Sequence, residues 1–230
     1  MTGKMTGEHA AGKDWLAWHA GYDDPDSVLS RRLAVVRERV RAALDACPPG
    51  PLKVISICAG QGRDLLGALA THPRRRDVAA RLVELDPRNA AVAREAAEAA
   101  SLRGIEVVVG DASLTNHYAG MVPAHVVLAC GLFGNITGED IERTVGFLSR
   151  MCKTGGTVLW TRHRRAPDIV PRLCDWFERS GFERDFVTPP GLSFGVGAHR
   201  FTAESQPLEM GQRMFTFIGR ERLEQLRRSL

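Results

Sequence analysis

Long hydrophobic runs, paired cysteines and a basic nucleic-acid motif are all missing from this chain of 230 residues. No apolar stretch reaches the roughly 20 residues that cross a membrane, and the first 15 residues lack the apolar core of a secretion signal. The five cysteines show no spacing typical of zinc sites or redox pairs. We therefore expect a cytoplasmic protein that has no membrane association and holds no metal.

Charge is modest as well, with a net charge of +4 and 25% charged residues. Arginine-rich runs occur at 74–76, 162–165 and 220–230, but no aromatic residues are interleaved with them and acidic residues balance most of them. We interpret these runs as solvated surface, so a nucleic-acid partner is not expected. A hydrophobic content of 44% in a chain of this length is that of one ordinary globular domain.

Strand-like and helix-like segments alternate from residue 53 onward. This alternation predicts an α/β fold, a single doubly wound and mostly parallel seven-stranded sheet with helices on both faces. The last two strands are predicted to pair antiparallel at one edge, because only a stretch rich in proline and glycine separates them. The predicted strands are 53–58, 80–86, 105–110, 124–130, 156–162, 182–188 and 213–219. The predicted helices between them are 63–71, 87–101, 137–152 and 167–180.

The chain divides into three predicted parts. Residues 1–12 are small and polar and are predicted to be disordered. Residues 13–50 carry a helical pattern that ends in prolines, and they are predicted to form an N-terminal helical cap. Residues 51–230 are predicted to form the single ligand-binding domain.

The stretch KVISICAGQGRDLLGAL at 53–69 predicts a strand, a glycine-rich turn and a helix in immediate succession. Glycine at positions 60 and 62 lets the backbone turn tightly and lets a ligand approach it, and the first N–H groups of the helix face that ligand. The second predicted strand ends in Glu84 and Asp86. An acidic side chain there can accept both hydroxyls of a ribose. Together the two features predict a site for a nucleoside-containing cofactor.

The turn departs from two common phosphate-binding sequences. A dinucleotide fingerprint has a small residue at its third glycine position, and that position is Leu65 here. A phosphate loop needs a lysine after the glycines, and no lysine follows this turn. These departures favour a nucleoside whose ribose carries an uncharged or cationic sulfur group and an amino acid tail.

The segment AGQGRD resembles the glycine-rich first motif of the class I S-adenosylmethionine (SAM) methyltransferase family, and VELDP resembles its acidic second motif. The resemblance covers about residues 53–219. It implies SAM as the cofactor, S-adenosylhomocysteine (SAH) as the product, and in-line transfer of a methyl group.

The resemblance also implies cofactor contacts at four strand ends. Glu84 is expected to bind the ribose, while Asp86 caps the following helix. Asp111, with a backbone N–H near Ala112, resembles the adenine contact, although an Asx-turn or a helix cap explains Asp111 equally well. The other expected contacts follow the first and fourth strands: Ala59, Gly60, Gln61, Gly62, Arg63, Cys130, Gly131 and Leu132.

The segment CGLFGN at 130–135 indicates the class of acceptor. It departs from the Asn/Asp-Pro-Pro-Tyr/Phe pattern of methyltransferases that act on base amines or glutamine, and it lacks the carboxylates that would hold a polyamine for aminopropyl transfer. We therefore expect a small-molecule acceptor that is methylated at oxygen or carbon. The alternatives are an RNA or protein acceptor, or a module that binds SAM or SAH without turnover.

An oxygen acceptor also needs a group that takes its proton. His199, in a predicted flexible loop before the last strand, and His163, after the fifth strand, are the candidates, with His117 and His19 as further options. Any single histidine is more often a packing or surface residue, so the pattern alone does not decide between these readings.

A lid is expected from the N-terminal cap, because its aromatic side chains can enclose a ligand or attract a sulfonium cation. The same side chains would equally suit a helix packed on the flank of the sheet. One of two arginines in the cap is expected to bind a carboxylate, either that of the cofactor or that of an acidic substrate. Lids of this type can be completed by a partner subunit, which makes a homodimer one expectation. The residues assigned to substrate or lid are Trp18, His19, Tyr22, Arg31, Arg32, Phe133 and Asn135.

Overall fold

The computed structural model describes residues 14–219 and 222–225. Seven strands form one sheet in the order β3-β2-β1-β4-β5-β7-β6, and neighbouring strands are parallel except where β7 takes part. This confirms the predicted doubly wound α/β sheet with an antiparallel pair at one edge. The predicted tail 1–12 and most of the run 220–230 lie outside the described residues. The strands are β1 Leu52–Ile57, β2 Val78–Glu84, β3 Ile105–Val109, β4 Ala124–Ala129, β5 Cys152–His163, β6 Phe182–Val187 and β7 Phe194–Phe201.

Polar residues mark where the longer helices begin. The hydroxyl of Ser27 accepts the N–H of Ser30 at 3.0 Å at the start of α2, and the carboxylate of Asp86 accepts the N–H of Arg88 at 2.9 Å at the start of α4. No helix in the described ranges is long and apolar enough to span a bilayer. The helices are α1 Trp15–His19, α2 Val28–Asp45, α3 Leu65–Leu69, α4 Pro87–Ala99, α5 Gly138–Met151 and α6 Val170–Arg179.

The central strands are apolar on both sides because helices cover both faces of the sheet. In β1, Val54 packs on the side of α2, α3 and α4, whereas Ile55 and Ile57 pack on the side of α5 and α6. All three side chains are fully buried. Because β1 to β4 are parallel, the segments that follow them emerge at one edge of the sheet, which we call the carboxyl edge.

The last predicted strand is wrong. Residues 213–219 contribute only an isolated bridge between Arg213 and Leu114, and β7 instead lies between β5 and β6. Glycines in β7 disfavour a strand by propensity, which is why its segment resembles a loop in the sequence. A side-chain carbon at Gly197 would lie 2.2 Å from the ring of Trp160. The packing of this tryptophan therefore requires glycine in β7.

His199 belongs to β7, so the prediction that it lies in a flexible loop is wrong. Its side chain is fully buried, stacks on Trp160 and Phe177, and accepts a hydrogen bond at Nδ1 from Nε1–H of Trp160 at 3.0 Å. Burial lowers the pKa of His199 to about 3, and Arg184 contributes to the shift. Its strand partner is Val158 in the middle of β5. His199 is therefore a core residue away from the carboxyl edge, and its assignment as a proton acceptor is wrong.

Two arginines from the runs interpreted as solvated surface are structural instead. Arg162 is only 3% exposed. Arg74 joins the end of α2 to the start of β1 by donating to four backbone oxygens, those of Leu44, Cys47, Pro48 and Gly50. The surface interpretation is wrong for these two residues.

The contact between Gly197 and Trp160 predicts a large cost for one added methyl group. Gly197→Ala should lower the free energy of unfolding by about 3 kcal/mol, because the ring must shift in a packed core. Urea unfolding measures this change. As a control, Gly146→Ala in α5, where an added carbon meets nothing within 4 Å, should raise stability by about 0.5–1 kcal/mol. A Gly197→Ala variant as stable as the wild type would contradict the packing described here.

Burial of a neutral His199 predicts acid sensitivity. The unfolded histidine binds a proton below pH 6.5 or so, while the folded one stays neutral down to its lowered pKa of about 3. Stability should therefore fall with falling pH in this window, by about 2 kcal/mol from this residue between pH 7 and pH 5. In urea unfolding at the two pH values, His199→Gln should lose about 2 kcal/mol less than the wild type. His117→Gln keeps His199 and should retain the wild-type difference.

Candidate cofactor site

A single carboxylate joins the turn after β1 to the end of β2. Gly60 has a φ of +57°, which favours glycine, and its N–H donates to Oε2 of Glu84 at 2.7 Å. The N–H of Asp86 donates to Oε1 of Glu84 at 2.9 Å. Burial raises the pKa of Glu84, and the backbone N–H groups oppose that rise. Each carboxylate oxygen keeps a second lone pair, so Glu84 can also accept hydroxyl groups of a ligand.

The side chains of Gln61 and Arg63 stabilise this turn through hydrogen bonds and an ion pair. Oε1 of Gln61 accepts from Nε of Arg63 at 2.8 Å, and Nε2 of Gln61 lies 3.3 Å from Oδ1 of Asn89 in α4. The guanidinium of Arg63 also pairs with Asp23 at 2.8 Å. The sequence offers no signal for Asp23 or Asn89, since both contacts depend on the packing of distant segments. Gln61 is buried among protein partners, while Ala59 beside it is half-buried.

Asp111 forms the Asx-turn that was one of its two predicted roles. It also forms an ion pair that could not be predicted from the sequence. Oδ1 accepts the N–H of Ser113 at 3.0 Å, and Oδ2 accepts from Nη1 of Arg213 at 2.8 Å. Burial acts to raise the pKa of Asp111, but the bonds from Ser113 and Arg213 outweigh it and lower the pKa. Ala112 is buried, and its carbonyl accepts the hydroxyl of Tyr118 at 2.6 Å. The adenine contact of this pair stays a prediction.

The segment after β4 presents backbone at the carboxyl edge. Gly131 is exposed and donates its N–H to Oγ1 of Thr161 at 2.8 Å, while its carbonyl accepts from Nδ2 of Asn135 at 2.6 Å. The predicted ligand contacts of Leu132 and Phe133 are wrong for the side chains. Both are fully buried in the core on the α5 and α6 side of the sheet, because they extend the apolar face of β4.

Asp64 and Cys130 follow β1 and β4, the two strands at which the strand order reverses. Burial raises the pKa of the Asp64 carboxyl, opposed by Arg37 and Arg32. Burial also raises the pKa of the Cys130 thiol, and the nearby Asp64 adds to that rise. Ligands of open α/β sheets bind at this reversal point. Sequence reasoning assigns no role to Asp64, whose position after the glycine turn is the available signal.

Residues 14–22, which we call the N-terminal segment, lie on the glycine turn. A side-chain carbon at Gly60 would lie 2.7 Å from Cε1 and Nε2 of His19, so the imidazole fills the space beside this glycine. His19 stacks on Tyr22 with ring centroids 5.6 Å apart, and Trp18 packs edge-on against both rings. The hydroxyl of Tyr22 accepts from Nη2 of Arg32 at 3.0 Å. Arg31 is exposed.

Residues 208–219 cross the carboxyl edge as an irregular segment, which we call the strap. Its backbone N–H groups donate to the carbonyl of Ser113 after β3, to the carboxylate of Asp140 at the start of α5, and to the carbonyl of Asn135 after β4. At its end, Phe217 packs edge-on against Trp15 with ring centroids 5.6 Å apart. The strap and the N-terminal segment therefore meet over the candidate site.

Of the two main candidates for the proton acceptor, His163 is the one that lies at this edge. It ends β5, is half-buried, and accepts the N–H of Arg165 at Nδ1 at 3.3 Å. A side-chain carbon at Gly134 would lie 3.6 Å from its ring, so His163 is beside the segment that follows β4. His117, one of the further options, packs against Gly110, which follows β3 at the same edge. The catalytic role of His163 stays a prediction.

Comparisons with known proteins yield similarity of structure only. No protein-family model matches the chain, and no curated protein matches it in sequence. An O-methyltransferase family protein from Burkholderia thailandensis superimposes with a TM-score of 0.62 and 18% identity, over 83% of this chain and 61% of that one. The CurJ carbon methyltransferase superimposes with a TM-score of 0.65 and 13% identity, over 81% and 58% of the two chains. The chain has the class I methyltransferase fold.

A third methyltransferase of this fold was solved with ligands bound. It is the 1,6-didemethyltoxoflavin-N1-methyltransferase from Burkholderia thailandensis, with 1,6-didemethyltoxoflavin and SAH, and it shares 15% identity and a TM-score of 0.58 over 82% of this chain and 87% of its own. The chain spans about three fifths of the length of the first two methyltransferases. At these identities the similarity establishes the methyltransferase fold alone.

The position of His19 on the turn predicts the effect of a methyl group at Gly60. Gly60→Ala should lower the free energy of unfolding by about 1–2 kcal/mol through the left-handed backbone. It should also displace the N-terminal segment and raise acrylamide quenching of Trp15 and Trp18. Gly120→Ala has a similar φ of +78° but open space around the added carbon. This control should be destabilised similarly without a change in quenching; equal quenching in both variants would contradict the contact.

Proposed function

We propose that the chain is a SAM-dependent methyltransferase that acts on a small molecule at oxygen or carbon. The observation that carries the proposal is the hydrogen bond from Gly60 to Glu84, which holds an acidic acceptor beside a glycine turn at the carboxyl edge. This arrangement suits a ribose with its hydroxyls free, and the absence of a lysine after the turn disfavours a phosphate beside it.

In this proposal, each part of the cofactor is assigned a place by analogy with the order of the strands. Glu84 on β2 takes the ribose, and Asp111 with Ala112 on the β3 side takes the adenine. The amino acid tail then runs past Gly62 and Gly131 toward β4. SAM, when bound, supplies a methyl group on a sulfonium. The residues of the chain hold the acceptor in line with that methyl group, and His163 takes the proton of an oxygen acceptor.

Residues 13–50 act in this proposal as a cap on residues 51–230. Support comes from contacts of the N-terminal segment with three parts of the carboxyl edge. His19 lies on Gly60, Asp14 pairs with Arg88 at 3.1 Å, and Trp15 packs on the strap. Such a cap excludes water from the reacting atoms.

A small molecule is favoured over RNA because three arginines of the carboxyl edge are paired with carboxylates. Arg63 pairs with Asp23, Arg88 with Asp86 and Asp14, and Arg213 with Asp111. A phosphate backbone would have to compete with each of these carboxylates. The similar N1-methyltransferase is solved with a small heterocyclic compound, which adds support for the substrate class but not for the acceptor atom.

The proposal predicts saturable binding of SAM and SAH in calorimetric titration. Glu84→Ala should weaken SAH binding by roughly 1–3 kcal/mol, because the ribose hydroxyls lose a buried partner. Glu95→Ala removes the same type of charge from the exposed face of α4 and should bind like the wild type. A folded wild-type protein that binds neither ligand would contradict the proposal, and thermal unfolding of each variant verifies that it is folded.

A further inference from the structure

The outermost strand β3 has one side without a strand partner, since among the described residues it pairs only with β2. The carbonyl of Gly104 and the N–H of Gly110 both bond to β2. Because the backbone groups of alternate residues in a strand point to opposite sides, those of the odd-numbered residues between them point away from the sheet. These outward residues, which we call the β3 edge, are Ile105, Val107 and Val109.

The side chains of the β3 edge form an apolar stripe that α4 covers incompletely. Ile105 and Val107 are half-buried, and Val109 is 45% exposed. A groove of about 330 Å³ lies between this stripe and α4, and the buried Ala97 and Leu102 contribute to its wall. Outermost strands usually carry charges, prolines or bulges that prevent pairing with another chain. The three residues of the β3 edge are β-branched and apolar, and their register with β2 is regular.

Charges of both signs border the groove. Arg94, Glu98 and Arg103 line it, and none of the three forms an ion pair with the described residues. Arg94 instead donates from Nη2 to the carbonyl of Val107 at 2.8 Å, which satisfies the central outward carbonyl of β3. The groove therefore combines an apolar wall, an acidic group and basic groups, a composition that is complementary to a second copy of itself.

We propose that the chain forms a homodimer in which β3 pairs antiparallel with β3 of a second copy, about a two-fold axis at Val107. This register places Val107 opposite itself and Ile105 opposite Val109. Every outward N–H and C=O group of the β3 edge then has a backbone partner, and the two sheets join into one. The interface uses the side of the sheet and not the N-terminal cap, so it does not depend on the proposed cofactor.

The two-fold axis also brings the charged groups into complementary positions. It places α4 of both copies on the same face of the joined sheet, with the two grooves toward each other. Arg94 is level with the axis, since it bonds to Val107, and Glu98 lies about 6 Å further along the helix. When the backbone of the second copy takes over the carbonyl of Val107, the guanidinium of Arg94 is released and can reach Glu98 of that copy.

The other face of β3 does not oppose this pairing. Glu106 is the one charged residue of the strand, and Nε of Arg81 pairs with it at 2.8 Å within the same chain. In the proposed register Glu106 faces Val108 of the second copy. Like charges are therefore not placed directly opposite each other, which would destabilise the strand pair.

Sedimentation velocity over a wide concentration range tests the proposal. The wild type should approach twice the chain mass of 25.2 kDa as its concentration rises. Val109→Lys places a charge in the apolar stripe and should weaken dimerisation at least about 10-fold. Leu192→Lys changes a similarly exposed apolar residue between β6 and β7 and should dimerise like the wild type. Thermal unfolding verifies that each variant is folded.

A charge exchange tests the two-fold arrangement. Arg94→Glu and Glu98→Arg should each weaken the dimer about 3- to 10-fold, and less at high salt, because each opposes like charges across the axis. The double variant restores opposite charges and should dimerise within about twofold of the wild type. A double variant weaker than either single one would overturn the arrangement. A dimer insensitive to Val109→Lys would overturn the interface and point to another surface. A monomeric wild type would overturn the proposal and leave the β3 edge for an extended segment of another protein.

Discussion

The hydrogen bond from Gly60 N–H to Glu84 is the contact on which the candidate site depends. It exists because β1 and β2 are parallel in a register that brings the end of each strand to the same level, with Ile57 beside Val83. A buried carboxylate without partners would be costly, so the turn after β1 and the N–H of Asp86 are as necessary to Glu84 as Glu84 is to them. The glycine turn, Glu84 and the ends of β1 and β2 therefore form one structural unit.

The N-terminal segment and the strap both lie at the carboxyl edge, where this unit is found. His19 occupies the space that Gly60 leaves open, and the strap ties the segments after β3 and β4 to α5. The contact between Trp15 and Phe217 joins the N-terminal segment to the strap. Access to the glycine turn therefore requires movement of a segment held by aromatic and ionic contacts rather than by a large apolar core, and such segments open at low free energy.

The sequence predicts the elements whose signal is local. Strands β1 to β4 follow from apolar runs that end in turn residues, and the glycine turn and Glu84 follow from a motif at fixed spacing. β7 is missed because Gly197 and the buried His199 violate strand patterns for a tertiary reason, the packing of Trp160. The bond from Thr216 to Asp140 joins residues 76 positions apart, and no local pattern encodes such a contact.

Hydrogen-bond acceptors lie toward one end of the carboxyl edge and donors toward the other, in the order that the proposed ligand requires. On the β3 and β2 side, Asp111 and Glu84 offer carboxylate acceptors, which suit the amine and hydroxyl donors of an adenosine. On the β1 and β4 side, Arg32 and His19 offer donors, which suit a carboxylate. A dinucleotide would place a pyrophosphate against the turn after β1, where Leu65 occupies the position that the dinucleotide fingerprint gives to a small residue. The order of donors and acceptors, together with Leu65, therefore favours a nucleoside with an amino acid tail.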